Sequence, residues 1–206
     1  MSSYFIHDYP LEMMRIIGVP IYWYGAVYSI GFLGIFLWLY FRREKIGFSR
    51  REVYELTVFA AVGILIGGRA FDIAVYELDY YRQHPLETLN WWKGGLASPG
   101  VVIGSAAAVI VFCWYRNKSF VRIADELVVP AAFLFAVGRI GNFLEGGGIG
   151  AQADLPWAFI YEDLAGPRHP VALYESAKTL FIVAILILIL RRYPAGNGVS
   201  LGVFVL

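Results

Sequence analysis

The feature that most constrains the fold of this chain is a series of apolar stretches, each about as long as a membrane crossing. A bilayer core about 30 Å thick is spanned by roughly 20 apolar residues in a helix. Five stretches of 16 to 24 residues come close to that length, and a sixth, at residues 199–206, is cut off at Leu206 and is too short to cross. The complete spans are predicted at residues 21–41, 53–76, 100–115, 126–144 and 171–190. We therefore expect an all-α polytopic transmembrane helix bundle, in one membrane domain covering residues 1–206, with small irregular extracytoplasmic segments.

Composition agrees with this prediction and excludes several other classes of protein. Hydrophobic residues make up 59% of the chain and charged residues 16%, with a mean hydropathy of +0.60, outside the usual range of soluble domains. The net charge of +1 favours no nucleic-acid partner. A single cysteine, Cys113, excludes an intrachain disulfide and every multi-cysteine metal site. We expect no metal and no cofactor.

Basic residues in the short connections predict how the chain is oriented in the membrane. Three connections rich in lysine and arginine alternate with the longer segments 77–99 and 145–170, which are poor in both. The basic connections contain Arg42, Arg43, Lys45, Arg50 and Arg51, then Arg116, Lys118 and Arg122, then Arg191 and Arg192. Because lysine and arginine concentrate in cytoplasmic loops, we expect the N-terminus and both longer segments on the outer side. The functional site should face that side, and Trp91, Trp92 and Trp157 should lie at the outer interface.

Glycines recur at four-residue spacing within the second and third predicted spans. The pairs are Gly63 with Gly67 and Gly100 with Gly104. Small residues at this spacing let helix backbones approach closely, so packing is favoured over ligand binding. The spacing predicts a tightly packed bundle.

Ionisable residues within the spans are the best candidates for function, because charges at membrane depth are costly and usually face a cavity or a partner. Two opposite-charge pairs stand three residues apart, where helix side chains meet, so internal pairing and function are both open for them. They are Arg69 with Asp72 and Glu175 with Lys178. Arg139 differs, because no acid lies three or four residues from it and its neighbour three residues on is Asn142. An unpaired arginine beside an asparagine and before a glycine run indicates an anion-binding site.

Five short motifs follow one another along the chain. They are YWYG at residues 22–25, GGR at 67–69, WWKGGLASPGVVIG at 91–104, GRIGNF at 138–143 and RHPVALYE at 168–175. Together they resemble the prolipoprotein diacylglyceryl transferase family, from about residue 20 to the end of the chain. The resemblance implies a bacterial inner-membrane enzyme whose site faces the outer leaflet. Such an enzyme moves diacylglyceryl from phosphatidylglycerol to the lipobox cysteine thiol of a preprolipoprotein and releases glycerol phosphate.

The resemblance also supplies a role for the arginine of GRIGNF. The phosphatidylglycerol headgroup is a phosphodiester anion, and a guanidinium can hold two of its oxygens in a planar fork. Arg139 is thus expected to bind the donor and to stabilise charge on the departing glycerol phosphate. Asn142 would add a neutral hydrogen-bond donor, Tyr24 would line the cavity as a hydrogen-bond partner, and Arg69 would place a second cation near the phosphate.

The motif RHPVALYE brings three further candidates to the start of the last complete span. His169 could deprotonate the incoming cysteine thiol, or it could cap the helix before Pro170 and orient the loop, and both roles are open. By the resemblance, Tyr174 and Glu175 belong to the donor-binding site, with the role of Glu175 undecided. Glu145 is the other candidate for the catalytic base.

Three departures from the family pattern keep a second function open. Pro99 stands where the family has a histidine, and proline can neither accept nor donate a proton. Glu-Gly-Gly at residues 145–147 follows the signature where the family commonly has Asn-x-Glu. The family's final stretch, with another arginine, would lie beyond Leu206. The alternative function is therefore a non-catalytic relative that binds anionic phospholipid without turnover.

Overall fold

The structure is a computed structural model that describes residues 4–17, 19–90, 95–193 and 195–205, with the side chains of all of these except Val19 and Tyr24. Within this part of the chain, five helices are long and apolar enough to cross a membrane: α1, α2, α4, α5 and α6. The helices are α1 (Trp23–Ile46), α2 (Arg50–Phe71), α3 (Leu78–Gln83), α4 (Ser98–Arg116), α5 (Phe120–Leu144), α6 (Val171–Arg192) and α7 (Val199–Val205). A π-helical turn, Asp72–Tyr76, prolongs α2. The predicted all-α, multi-pass membrane class is confirmed.

Local sequence signals explain where several helices begin and end. α2 follows a capping box, in which the Ser49 hydroxyl accepts from the backbone N–H of Glu52 and the Glu52 carboxylate accepts from the N–H of Ser49. α4 carries Pro99 in its first turn, where a backbone N–H has no helical partner to lose. It ends at Asn117, whose φ of +50° is left-handed. Both α1 and α5 continue past their apolar runs into the basic connections.

Short strands occur in the segments outside the crossing helices. Within the described ranges they are β1 (Phe5–His7), β2 (Glu12–Ile16), β3 (Val19–Tyr22), β4 (Ile149–Gln152), β5 (Phe159–Tyr161) and β6 (Arg168–Pro170). β2 and β3 form an antiparallel pair, and the other four form a sheet in the order β1-β5-β6-β4. Because β1 pairs in parallel with β5, the N-terminal strand is joined to the segment between α5 and α6. That segment, predicted to be irregular, therefore contains three paired strands.

The chain divides into two compact units, each described by itself. The α2–α4 unit is Tyr40–Ile123, and the α5–α6 unit is Met1–Leu39 together with Ala124–Leu206. The assignment of the whole chain to a single membrane domain stays a prediction.

Glycines bring the backbones of α2 and α4 together in the α2–α4 unit. A methyl group on Gly63 would collide with the carbonyl oxygen of Gly104, and one on Gly67 would collide with that of Gly100. The packing role predicted from the four-residue spacing is confirmed.

In the α5–α6 unit, an apolar cluster packs α5 against α6. It consists of Val128, Val129, Ala132, Val183 and Leu186. A fully buried carboxylate lies just before this cluster on α5: Asp125 accepts backbone N–H bonds from Gly196 at 2.8 Å, Gly198 at 2.9 Å and Leu201 at 2.9 Å. These three bonds compensate for the loss of hydration of the carboxylate and hold α7 and its preceding loop against α5.

Candidate active site

Arg139 lies near the end of α5 and forms an ion pair with a residue of α6. Its Nε lies 2.9 Å from Oε2 of Glu175, and the two side chains are 48% and 36% exposed. The interpretation of Arg139 as an arginine without an acidic partner is therefore wrong, because the partner comes from a different helix. Within the described residues Glu175 pairs with Arg139 and not with Lys178, three residues along its own helix.

This ion pair still allows Arg139 to bind a ligand. The contact uses Nε, and among the described residues neither Nη atom has a partner. An ion pair between side chains this exposed is weak, because water competes for both charges. Glu175 can thus orient the guanidinium while the planar pair of Nη groups binds an oxyanion.

The glycine run after GRIGNF turns the chain back toward α6. Asn142 is half-buried on α5, and its carbonyl accepts from the N–H of Gly147 at 2.7 Å. Gly148 has a φ of +67°, and a methyl group there would lie 2.7 Å from Cβ of Ala172 in the first turn of α6. Only glycine satisfies both the conformation and the space. Glu145 is half-buried at the start of this turn, so both polar candidates after Arg139 lie on the path that joins α5 to the sheet.

His169 on β6 belongs to a chain of three hydrogen-bonding side chains. Its Nδ1 lies 3.1 Å from the Tyr174 hydroxyl, which accepts from Nε1 of Trp157 at 2.8 Å. His169 does not cap α6, because Pro170 occupies the N-cap and the cap has no side-chain hydrogen bond, whereas its role in orienting the loop stays a prediction. Trp157, predicted at an interface, is 51% exposed. Trp91 and Trp92 lie outside the described residues.

The first turn of α6 joins two parts of the predicted site. Tyr174 contacts His169, and the next residue, Glu175, pairs with Arg139. The structure thus connects the candidate base and the candidate anion-binding arginine to adjacent positions of one helix.

His7 is a residue that the sequence analysis did not identify. Its Nε2 lies 2.6 Å from the carbonyl oxygen of Phe143, the last residue of GRIGNF, and must be the donor because a carbonyl only accepts. The imidazole stacks on Tyr161 at 4.9 Å and meets Phe143 edge-on at 5.1 Å between ring centroids. Burial raises the pKa of the Tyr161 hydroxyl. His7 thereby links β1 to the end of α5, a contact that no local sequence pattern signals.

Arg69 lies in the α2–α4 unit and is 4% exposed. Its Nε donates to the carbonyl of Thr88 at 3.1 Å, Nη2 to that of Glu87 at 2.6 Å and Nη1 to that of Gly95 at 3.4 Å. The predicted partner Asp72 is 4.0 Å from Nη1. These contacts hold the segment after α3 against the end of α2.

Aromatic and steric contacts confine the Arg69 guanidinium further. Its Cζ lies 4.9 Å from the centroid of the Tyr81 ring, within cation–π range. Gly95 has a φ of +80°, and a methyl group there would collide with Nη1 and lie 2.7 Å from Oδ2 of Asp72. The backbone at Gly95 therefore reaches the guanidinium only because it carries no side chain.

The two remaining positions lie at helix N-termini. Tyr24 is in the first turn of α1, but its side chain lies outside the described residues, so its role stays a prediction. Pro99, where the resemblance expects a histidine, is exposed in the first turn of α4.

Comparison with known proteins decides the family. A family model described as prolipoprotein diacylglyceryl transferase matches residues 12–206. The chain belongs to the prolipoprotein diacylglyceryl transferase family. The resemblance read from the motifs, and with it the assignment as a transferase, is confirmed.

Curated relatives cover most of the chain. A phosphatidylglycerol–prolipoprotein diacylglyceryl transferase of Methylibium petroleiphilum is 35% identical over 196 residues, which is 90% of this chain and 74% of the relative. Proteins of the same name from Aeromonas hydrophila and Azospirillum brasilense are each 36% identical, over 89% and 87% of this chain and 68% and 69% of their own lengths.

Proposed function

We propose that this chain transfers a diacylglyceryl group from phosphatidylglycerol to the lipobox cysteine thiol of preprolipoproteins, with release of glycerol phosphate. The observation that carries this proposal is the family match across residues 12–206, which includes Arg139 and its partner Glu175. The names of the relatives specify the donor lipid and the acceptor protein for those proteins.

The proposed reaction is a displacement at carbon. The cysteine sulfur loses its proton and attacks the glyceryl carbon that bears the phosphate. A C–S bond forms while the C–O bond breaks, and the electron pair leaves with the oxygen. The phosphodiester monoanion becomes a phosphate monoester with a second negative charge, so a cation already fixed at that phosphate binds the transition state more tightly than the substrate.

Arg139 supplies this cation. Its Nη groups would hold two phosphate oxygens, while Glu175 orients the guanidinium through Nε at 2.9 Å. Asn142, half-buried on the same helix, would donate a neutral hydrogen bond to the headgroup. The donor-binding roles that the resemblance implies for Tyr24 and Tyr174 stay predictions, and the Tyr174 hydroxyl already has Trp157 and His169 as partners. The phosphate-binding role predicted for Arg69 stays a prediction, and its carbonyl contacts favour a structural role.

The proton acceptor is proposed to be His169, with Glu145 as the second candidate. A thiol with a reference pKa near 8.5 is only a few per cent thiolate at neutral pH, so a base is needed. Pro99 cannot provide one, because proline has no titratable group. The Tyr174 hydroxyl lies 3.1 Å from Nδ1 of His169, and Nε2 is the ring nitrogen that can accept a proton when Nδ1 carries the imidazole hydrogen.

We further propose that the N-terminus is extracytoplasmic and that the site faces the outer leaflet of the bacterial cytoplasmic membrane, as the basic connections indicate. Single cysteines at Ser49 and Ala153, in a Cys113→Ala background, should report this with a membrane-impermeant thiol reagent on intact cells. Label is expected at residue 153 and not at residue 49. The opposite pattern would reverse the orientation and move the site to the cytoplasmic side.

A transfer assay on the purified full chain tests the function. Phosphatidylglycerol labelled in its headgroup is supplied in nanodiscs with a lipobox peptide, and thioether peptide and glycerol phosphate are quantified together. Equal amounts of both products are expected. A peptide with serine in place of cysteine should give neither product, because the weaker nucleophile replaces the thiol.

The same assay tests the non-catalytic alternative. No observation on the described residues favours that alternative. Binding of phosphatidylglycerol without thioether product would support lipid binding without turnover and would contradict the transferase proposal.

A further inference from the structure

Three side chains from separate segments meet at the start of α6. Trp157 precedes β5, His169 lies on β6, and Tyr174 lies in the first turn of α6. The Trp157 Nε1 to Tyr174 hydroxyl distance is 2.8 Å, and the Tyr174 hydroxyl to His169 Nδ1 distance is 3.1 Å. The His169 and Tyr174 rings also meet edge-on, with centroids 5.8 Å apart.

The chemistry of these groups limits how the hydrogens can be arranged. Indole Nε1 only donates, so the Tyr174 oxygen accepts from Trp157. A hydroxyl oxygen has two lone pairs, and the second can accept from Nδ1 of His169. For Nε2 to accept a proton, Nδ1 must carry the imidazole hydrogen, and it then donates to that second lone pair.

We propose that Trp157 and Tyr174 are positioning residues that hold His169 with Nε2 free to accept the proton of the cysteine thiol. This inference rests on the proposed transfer function. The thiol proton moves to Nε2, the sulfur forms the C–S bond, and the C–O bond breaks with its electron pair on the glycerol phosphate oxygen. The imidazolium then returns its proton to solvent, and no other reactant is required.

The geometry supports this arrangement in a second way. Tyr174 is followed by Glu175, whose carboxylate pairs with Arg139 at 2.9 Å. One helical turn therefore sets the orientation of both the proposed base and the proposed phosphate-binding cation. Groups fixed before the reaction contribute more to the rate than groups that must be ordered during it.

The first experiment tests His169 as a proton acceptor. In the transfer assay, His169→Ala should lower kcat by about 100-fold or more. Added imidazole should restore part of the lost rate, because a free base can enter the space left by the ring. Lack of rescue in a folded, lipid-binding variant, or wild-type kcat without imidazole, would overturn the inference.

The second experiment asks whether Tyr174 and Trp157 act through His169. Tyr174→Phe should lower kcat about 3- to 10-fold and Trp157→Phe about 2- to 5-fold, as expected for loss of one hydrogen bond in the chain. The KM for phosphatidylglycerol should not change. A rise in KM with kcat unchanged would instead assign Tyr174 to direct lipid contact.

The same two substitutions are then made in the His169→Ala protein rescued by imidazole. Their effects should shrink to less than about twofold, because the fixed ring through which they act is gone. Equal effects in both backgrounds would overturn the positioning role and indicate general damage to packing. The matched controls are Tyr193→Phe, at the other end of α6, and Trp114→Phe, on α4, and neither should change kcat in either background.

Failure of the inference and failure of the proposed function give different results. If the unsubstituted protein forms no thioether product, the transferase proposal is overturned and the inference with it. If it forms product but the effects of Tyr174→Phe and Trp157→Phe persist without His169, only the inference is overturned.

Discussion

Arg69 and Arg139 are both arginines within membrane-spanning helices, yet their surroundings are opposite. Arg69 is 4% exposed and donates to three backbone carbonyls of the segment after α3. The Arg139 side chain is 48% exposed, and its partner among the described residues is the carboxylate of Glu175, which lies against the Nε of Arg139.

The difference shows which arginine has capacity left for a ligand. Carbonyl oxygens bound to Arg69 would lose their partners if a phosphate took the guanidinium, and buried groups without partners are costly. Arg139 would exchange only water and a weak ion pair for a phosphate. Arg69 thus holds backbone segments together, and anion binding stays a prediction for Arg139.

The largest expected effect is at Arg139. Arg139→Lys keeps the charge and loses the planar pair of donors, so transfer should fall about 10- to 150-fold, equivalent to one charge-assisted hydrogen bond of about 1.5 to 3 kcal/mol. Arg139→Gln, which also removes the charge, should be worse. Phosphatidylglycerol binding and transfer are measured at matched membrane abundance.

Arg192→Lys at the end of α6 serves as the control for this series, and neutral diacylglycerol serves as the control ligand. A lysine variant that behaves like the wild type would reject the phosphate fork, because lysine extends a charge to the interface equally well. Loss of binding for anionic and neutral lipid alike would indicate damaged packing.

Arg69→Gln tests the structural role of the second arginine. We expect the free energy of unfolding to fall by about 1 to 3 kcal/mol, because the carbonyls of Glu87, Thr88 and Gly95 lose their donor. Denaturant unfolding in mixed micelles measures the change. The control is Arg82→Gln in the same segment, whose ion pair with Asp79 is exposed and should be worth little. If stability is unchanged and the KM for phosphatidylglycerol rises, Arg69 binds the phosphate and its structural role is wrong.

Glu175→Gln sharpens the account of Arg139 by removing only the charge of its partner. We expect kcat to fall about 2- to 5-fold, because an exposed ion pair orients the guanidinium weakly. KM for phosphatidylglycerol should not rise, since a negative charge near the phosphate has been removed. Lys178→Gln, on the exposed side of the same helix, is the control and should have no effect. An equal loss in both variants would contradict the specific pairing of Glu175 with Arg139.

The smallest expected effect is a gain. Pro99→His adds a proton acceptor to the α2–α4 unit, which otherwise contributes structure through Arg69. Position 99 is exposed in the first turn of α4, where helices tolerate most residues, so the variant should fold and raise transfer a few-fold. Thioether formation is measured against wild type at equal abundance. An inserted, folded variant without any gain would count against the alignment of Pro99 with the family histidine.

Much of the fold could be predicted from the sequence, because the features that determine it lie in neighbouring residues. Apolar runs near 20 residues predicted the five crossing helices, and glycines four residues apart predicted the close approach of α2 and α4. The three strands between α5 and α6 were missed, since each is three or four residues long and is stabilised by pairing with distant segments.

The candidate site likewise has features that neighbouring residues predict and features that depend on distant residues. The membrane class, the family and the candidacy of Arg139 follow from the sequence alone, because span length, motif order and the absence of a nearby acid are properties of neighbouring residues. Three contacts depend on tertiary packing: Arg139 pairs with Glu175, Tyr174 joins Trp157 to His169, and backbone carbonyls bind Arg69. The physical reason is that hydrogen bonds and ion pairs act over about 3 to 4 Å, and which distant residues come that close depends on how helices and strands pack.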